Sequence, residues 1–450
     1  SCHIGGAIPF WLANQTNLLE LDLRNTSLTG SIPPWLTSNK SLNFLILADN
    51  NLSVTLPGNL FKNSSLGILS LSNNKFSGRL PADIADAVNM SILILARNQF
   101  SGPLPKSMST WFKLQWLDLS TNNFSGHEFP DLNSSLLAHV SLFTNRFSGE
   151  VPTSFPSSIN VLQVNDNEFS VFPENVNWLL NLTFLDLSNN RINQVIPQGI
   201  TNLVNLKVLN MRNNQLHGTI PEELSKLKSL QIFDASGNNL EGQIPDSLGN
   251  LLAMRDNPSK ISKRMTGFDF YPDTLSRRFE KGNFTAPYGL KVNWKRSELH
   301  LSGRNLPMHT LLDLSHNHLS GSIPDTVGAL DGLISLDLSS NKLFSTIPES
   351  LGQIQHLDIL NLSHNSLSGQ IPQSFVNMLQ LQNLDLSNNN LSGPIPVGPQ
   401  MGVHGLCGFQ IGISCRTDTL PSNGNKNSSL PWKEAGVGFV VGLVISILGL

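Results

Sequence analysis

Several groups of side chains in this sequence have types and spacings that could do chemistry. His316 and His364 stand in equivalent places, each one residue before an asparagine. An imidazole there can bind a metal or change charge near neutral pH, but its place in a repeated pattern reads first as solvated surface. Cys407 and Cys415 lie eight apart, a spacing that suits one disulfide in an oxidising compartment without establishing it, and Cys2 has no evident partner. Thirteen Asn-x-Ser/Thr sequons occur, among them Asn14, Asn39, Asn63, Asn181, Asn283 and Asn427. Gly438 and Gly442 make a Gly-x-x-x-Gly spacing that lets two helix backbones approach closely. The sequence holds no phosphate-cradling glycine loop, no Gly-x-Ser-x-Gly elbow, no His-Glu-x-x-His and no kinase signature. No catalytic residue, metal or cofactor is expected, and the chain reads as a non-enzyme.

The elements that would position these groups come from a repeat. Leu357, Leu360, Leu362, Asn365, Leu367, Gly369, Ile371 and Pro372 recur 24 residues later as Leu381, Leu384, Leu386, Asn389, Leu391, Gly393, Ile395 and Pro396. The asparagine runs back through Asn341 and Asn317, then Asn238, and on to Asn50, with Thr26 in its place in the first complete repeat. Steps are 22 to 24 residues apart from one of 79, which makes fourteen repeats. A period of this kind marks a stack of coils rather than separate globular lobes. The Leu-x-Leu core alternates with period two, so it predicts a short strand with leucines inward. The asparagine amide is expected to bond backbone groups of the turn and of the next coil. Glycine supplies an unusual backbone angle, and the following Ile-Pro packs inward while refusing helix. Val54 and Ser345 replace the glycine, and the stretches near Phe129-Pro130 and Phe172-Pro173 are shortened, so curvature is expected to change there.

Charged residues make up 14% of the 450 and the net charge is −3, which gives no electrostatic footprint for nucleic acid. The 79-residue step hides a segment of different composition at 254–308. It has eleven Lys/Arg against five acids, a balance of +6 that leaves the rest of the chain at −9. Both tyrosines of the protein, Tyr271 and Tyr288, lie here with Trp294, Arg277 and Arg278. Aromatics with arginine are the composition of interface anchors. A loop that folds over the solenoid and covers its apolar edge fits equally well. At the C-terminus a polar stretch precedes sixteen uncharged residues, 435–450, shorter than the roughly twenty a spanning helix needs. The first residues read as the tail of a repeat, so the chain is expected to begin inside a longer protein and to end inside a membrane span. A lipid-anchor signal near Asn423-Gly424 is the rival account of that end.

The L-x-x-L-x-L-x-x-N-x-L-x-G-x-I-P pattern resembles the plant-type, extracellular class of leucine-rich repeats, over about residues 4–397 apart from the one gap. The resemblance implies an α/β solenoid: a leucine-rich-repeat superhelix with a concave parallel β-sheet, short 3-10 and β segments on the other faces, one island insertion and a C-terminal partial transmembrane helix. The expected domains are 1–253 (ten repeats), 254–308 (island), 309–397 (four repeats), 398–433 (cap and juxtamembrane linker) and 434–450 (truncated span). Cys407 and Cys415 are similar to the paired-cysteine cap that closes such solenoids, and Tyr271 to Lys281-Gly282 is similar to a motif of such islands. The layout resembles plant receptor-like proteins. That implies a single-pass plasma-membrane glycoprotein binding an extracellular peptide or microbial ligand, with a co-receptor kinase and an adaptor kinase as partners. Two other classes share the repeat: secreted inhibitors of cell-wall-degrading enzymes and receptor-kinase ectodomains. Ligand contacts are expected where strand positions leave the Leu-Asp-Leu-Ser monotony: Phe44, Arg97, Trp116, His139, Phe143, Gln163, Lys207 and Arg212.

Overall fold

The computed structural model describes residues 4–62, 64–133, 135–256, 289–294, 297–302, 306–396 and 442–444. Fourteen three-residue strands, from Glu20–Asp22 to Asn383–Asp385, stack in chain order as one parallel sheet. Each is centred on the first position of a Leu-x-Leu core. In Ile92–Ile94, Leu93 and the following Leu95 point into the solenoid with no exposure, while Ile92 and Ile94 face the inner wall. Strand Ile232–Asp234 pairs directly with Leu311–Asp313, Ile232 opposite Leu311, so the coils on either side of 254–308 stack as neighbours.

The asparagine explains how the turns close. In Asn98, Nδ2 donates to the carbonyls of Leu95 and Ala96 in its own turn, at 3.0 and 3.2 Å, and to Leu71 of the preceding coil at 2.9 Å. Its Oδ1 accepts the Phe76 N–H at 3.0 Å. The same four bonds recur at Asn122, Asn238 and Asn317. The amide thus reaches back to the preceding coil, not forward to the next as expected, because the turn carries it over the coil already laid down. Each amide satisfies four backbone groups that burial would otherwise leave unpaired. Two residues on, Phe76, Phe100, Phe124, Phe147 and Phe169 form a buried stack with ring centroids 6.0 to 6.4 Å apart.

On the convex side the Ile-Pro step behaves differently from expectation. Proline does not exclude helix. Pro81, Pro105, Pro221 and Pro324 each sit at the N-cap of a five-residue 3-10 helix, with φ between −62° and −70°. Their fixed φ and missing N–H suit the start of a turn, where no donor is needed.

A second, outer edge is built from short strands after each asparagine. Seven run from Thr29–Gly30 to Glu168–Val171, and six from His217–Gly218 to Asn390–Leu391. The break falls beside Phe172-Pro173. There the Gln194 side chain takes over the ladder, accepting the Phe172 N–H at 3.1 Å and donating to its carbonyl at 2.8 Å. Near Phe129-Pro130 the outer register shifts at Gly149/Glu150. Val54 and Ser345 keep the left-handed corner of the glycines they replace, at φ 71° and 84° against 79° for Gly102.

The apolar C-terminal segment is not helical where it is described. Gly442–Val444 is a strand antiparallel to Asn383–Asp385, with Leu443 opposite Leu384. Asn383–Asp385 ends the parallel ladder, and an extended segment satisfies the row of backbone groups left at such an edge. The expected partial transmembrane helix is therefore not found at these residues, and no helix among the described residues is long and apolar enough to cross a membrane. Gly442 lies in this strand. Gly438, Cys2, Cys407, Cys415, Asn63, Asn283, Asn427, Tyr271, Arg277, Arg278 and Tyr288 lie outside the described residues.

Candidate ligand-binding surface on the inner wall

Two antiparallel strands, Gly289–Trp294 and Ser297–Ser302, form a hairpin with Leu290 opposite Leu301 and Val292 opposite Leu299. Period two places these four apolar residues on one face and Lys291, Asn293, Glu298 and His300 on the other. The apolar face packs, together with Leu306, on Val161, Phe184, Val208, Ile232 and Leu311. Those are the first residues of five neighbouring strands of the inner wall. Burying an aliphatic side chain stabilises by about 1.5–3 kcal/mol, so apolar contact is the main force seating the hairpin. The Lys291–Glu298 ion pair, 3.7 Å and half exposed, contributes little. Gln163 Nε2 donates to the Gly289 carbonyl at 3.2 Å. A Cβ at Gly289 would meet the His300 ring, which packs over the glycine in this arrangement.

Toward the N-terminal coils, Ile92, Ile94, Ala96 and Trp116 form a separate buried cluster on the same wall, with Ile68 against it. Trp116 stacks on His139 with ring centroids 3.8 Å apart and planes 10° apart. Burial pushes the His139 imidazole down to about 3, so it is neutral at physiological pH.

The third residue of many strands is an aspartate. Asp118, Asp186, Asp234, Asp313 and Asp337 are all buried, each with one carboxylate oxygen accepting the N–H of the serine two residues on, at 2.9 to 3.0 Å. Burial raises all five from the ordinary carboxylate value, Asp186 to about 7. For Asp313 the neighbouring Asp234 and Asp337 charges raise it further. The Arg97 charge favours ionised Asp118 and the Arg212 charge favours ionised Asp234, without offsetting the burial.

The residues singled out in the sequence fall into three environments. Phe44, Phe143, Lys207 and Arg212 are half-buried along the wall, and Arg97 is exposed at a left-handed corner with φ 54°. Trp116, His139 and Gln163 are buried, Gln163 beside the hairpin. Trp294 meets His309 edge-on at 5.5 Å. Among the sequons, Asn14 and Asn181 are exposed and Asn39 is half-buried, at or beside the convex 3-10 helices. The hairpin's apolar residues and the wall residues beneath them were not anticipated, although the alternation Leu290, Val292 and Leu299, Leu301 was there to be read. His316 and His364 occupy left-handed corners before the asparagine, and no group of metal-binding side chains is present among the described residues.

The sequence matches family models described as leucine-rich repeat at 180–240 and 331–391, and at 17–39, 65–87, 113–135 and 310–330. The chain is a leucine-rich-repeat protein. More narrowly, its repeats are those of plant receptor-like proteins and receptor ectodomains. It is 50% identical over 46 residues to Receptor-like protein 46 of Arabidopsis thaliana, 10% of this chain and 6% of that protein. Among solved structures it is similar to PEPR1 bound to AtPEP1, with TM-score 0.71 and 28% identity over 88% of this chain and 48% of the other. It is also similar to the Arabidopsis receptor kinase HAESA in complex with the peptide hormone IDA and the co-receptor SERK1, with TM-score 0.64 and 30% identity over 88% of this chain and 61% of that one. The chain thus spans less than two thirds of the length of these relatives.

Proposed function

We propose that this chain is the ligand-binding part of a plant cell-surface receptor-like protein that takes an extracellular peptide or microbial ligand on its inner wall. The observation that carries this is the wall itself. One continuous parallel sheet carries side chains that break the repeat's monotony, with Phe44, Phe143, Lys207 and Arg212 half-buried along it and the hairpin seated over Phe184 to Leu311, where a purely structural repeat needs no such variety. The hairpin adds a second surface on that wall, and Arg277, Arg278, Tyr271 and Tyr288 belong to the same insertion. The peptide complexes of PEPR1 and HAESA support a peptide as ligand and a co-receptor kinase as partner. Signalling then passes through partner kinases, and the role is defence or development. The exposed convex sequons Asn14 and Asn181 support a glycosylated outer side that leaves the wall free. The uncharged run 435–450 supports a place at the plasma membrane, with an adaptor kinase as a further partner.

The test is selection from a random 15-residue peptide library displayed on phage, using the secreted chain as bait. Selected peptides should lose at least tenfold in affinity with Phe143→Ala or Lys207→Ala and keep it with Lys40→Ala, an exposed convex residue. Peptides that respond only to the convex substitution would count against the reading. A receptor-kinase ectodomain is the second reading, favoured by the HAESA likeness. Sequencing the transcript beyond the Leu450 codon separates the two, since a kinase domain in frame would establish it.

A further inference from the structure

The hairpin and the buried carboxylates share strands. Phe184, Ile232 and Leu311, which the hairpin covers, lie two residues before Asp186, Asp234 and Asp313. Residues two apart on a strand face the same side, so each carboxylate stands on the wall beside an apolar contact of the hairpin. Asp234 and Asp313 are register partners on adjacent strands, and Asp313 is in turn the partner of Asp337. Neighbouring strands lie about 4.8 Å apart, so three carboxyl groups line up at a separation where like charges repel strongly once water is excluded. The second oxygen of Asp234 is buried without a hydrogen-bond partner.

We propose that the hairpin is a strap whose hold on the inner wall is set by this carboxyl row: it is seated while the row is protonated and released as the row ionises.

The charges facing the row leave it under-compensated. Arg212 faces Asp234 and His316 faces Asp337, whose other oxygen accepts the Asn361 amide at 3.0 Å. Asp186 meets Asp166 and Asp234, both of which oppose its ionisation. On the hairpin, Lys291, Glu298 and His300 occupy the face turned away from the wall, and His309 meets Trp294. Ionised carboxylates need water, and access for water requires the covering strands to move off. The sign follows from burial. Seated, Asp186 holds its proton up to about 7, and Asp234 and Asp313 are raised likewise. Hydrated, such groups release it near about 4. The seated state therefore binds more protons between those limits, so its stability is complete below about 4 and is lost as pH rises through about 7. The row position itself tolerates a neutral amide, since Asn210 and Asn361 occupy it on other strands.

The experiment is amide hydrogen exchange of residues 289–302 in the free secreted chain from pH 5 to 7.5, corrected for the intrinsic rate. It reads seating and not ligand binding, so its outcome is independent of the proposed function. Protection of the hairpin should fall by about tenfold per pH unit for each proton released. In Asp186→Asn/Asp234→Asn/Asp313→Asn, which removes every carboxyl two residues from a wall contact of the hairpin, it should stay constant while the strand amides of Leu69 and Leu360 remain protected. If those distant amides lose protection, Asp186→Asn alone serves, and its slope must be shallower than that of the wild type. A flat wild-type profile overturns the proposal, and so does a fall that persists in the substituted chain, which would assign the response to groups outside the row.

Discussion

At Val54 a β-branched residue holds a φ of 71°, the corner that glycine fills in most coils. A left-handed conformation costs an L-residue roughly 1–2 kcal/mol, and glycine's extra unfolded-state freedom offsets about half of that. Val54 is 51% exposed, so little packing is lost with its side chain. Val54→Gly should therefore raise stability by about 0.5–1 kcal/mol, read as a higher denaturant midpoint at unchanged slope. His139 makes the opposite kind of prediction. Its folded value of about 3 lies below the ordinary 6.5, so the unfolded chain binds the extra proton and stability falls as pH drops between them. That contribution is about 1.4 kcal/mol per pH unit. His139→Phe keeps a ring against Trp116 and should remove this part of the acid sensitivity, measured by denaturation between pH 6 and 4. At this scale the sequence was partly legible. The asparagine's role followed from its amide, but its reach to the preceding coil depends on the hand of the turn, which spacing does not record. Trp116, His139 and Gln163 were identified as wall residues from alternation alone, and their burial was not, because burial depends on what lies over the wall.

The hairpin is the element that sequence analysis overlooked. Its two strands have ordinary alternation, Leu290 and Val292 against Leu299 and Leu301, but the basic composition of 254–308 drew attention to charge and aromatics instead. The strands of the repeats were legible because the same signal recurs fourteen times; the hairpin occurs once. It docks on the inner wall through aliphatic residues, whereas the covering role weighed for this insertion placed its aromatics over the solenoid's apolar edge. Apolar contact dominates the docking, so Leu290→Asp/Val292→Asp should release the hairpin without unfolding the solenoid. Dye binding to exposed apolar surface should rise as Val161, Phe184 and Val208 are uncovered, while far-ultraviolet circular dichroism changes little. A cooperative loss of all structure in that variant would mean that the hairpin is part of the core.

Across the whole molecule, one coil seals the next, and the continuity of the sheet through Ile232–Asp234 and Leu311–Asp313 lets an insertion leave the stack without interrupting it. The period alone was enough to forecast this architecture, since no single coil can bury its own leucines. The helix expected near the C-terminus is not found at Gly442–Val444, since an apolar run reads the same whether it spans a bilayer or pairs with a sheet edge. The result is one continuous stack of strands whose inner wall carries a hairpin over five of its fourteen strands and is varied along the remainder. The central claim is that ligand recognition takes place on that wall, with the hairpin as part of the surface. A crystal or electron cryomicroscopy structure of the secreted chain with a library-selected peptide tests it most directly. The account predicts the peptide along the inner wall, in contact with Phe143, Lys207 and the hairpin; a peptide seated on the convex 3-10 helices, with the wall untouched, would contradict it.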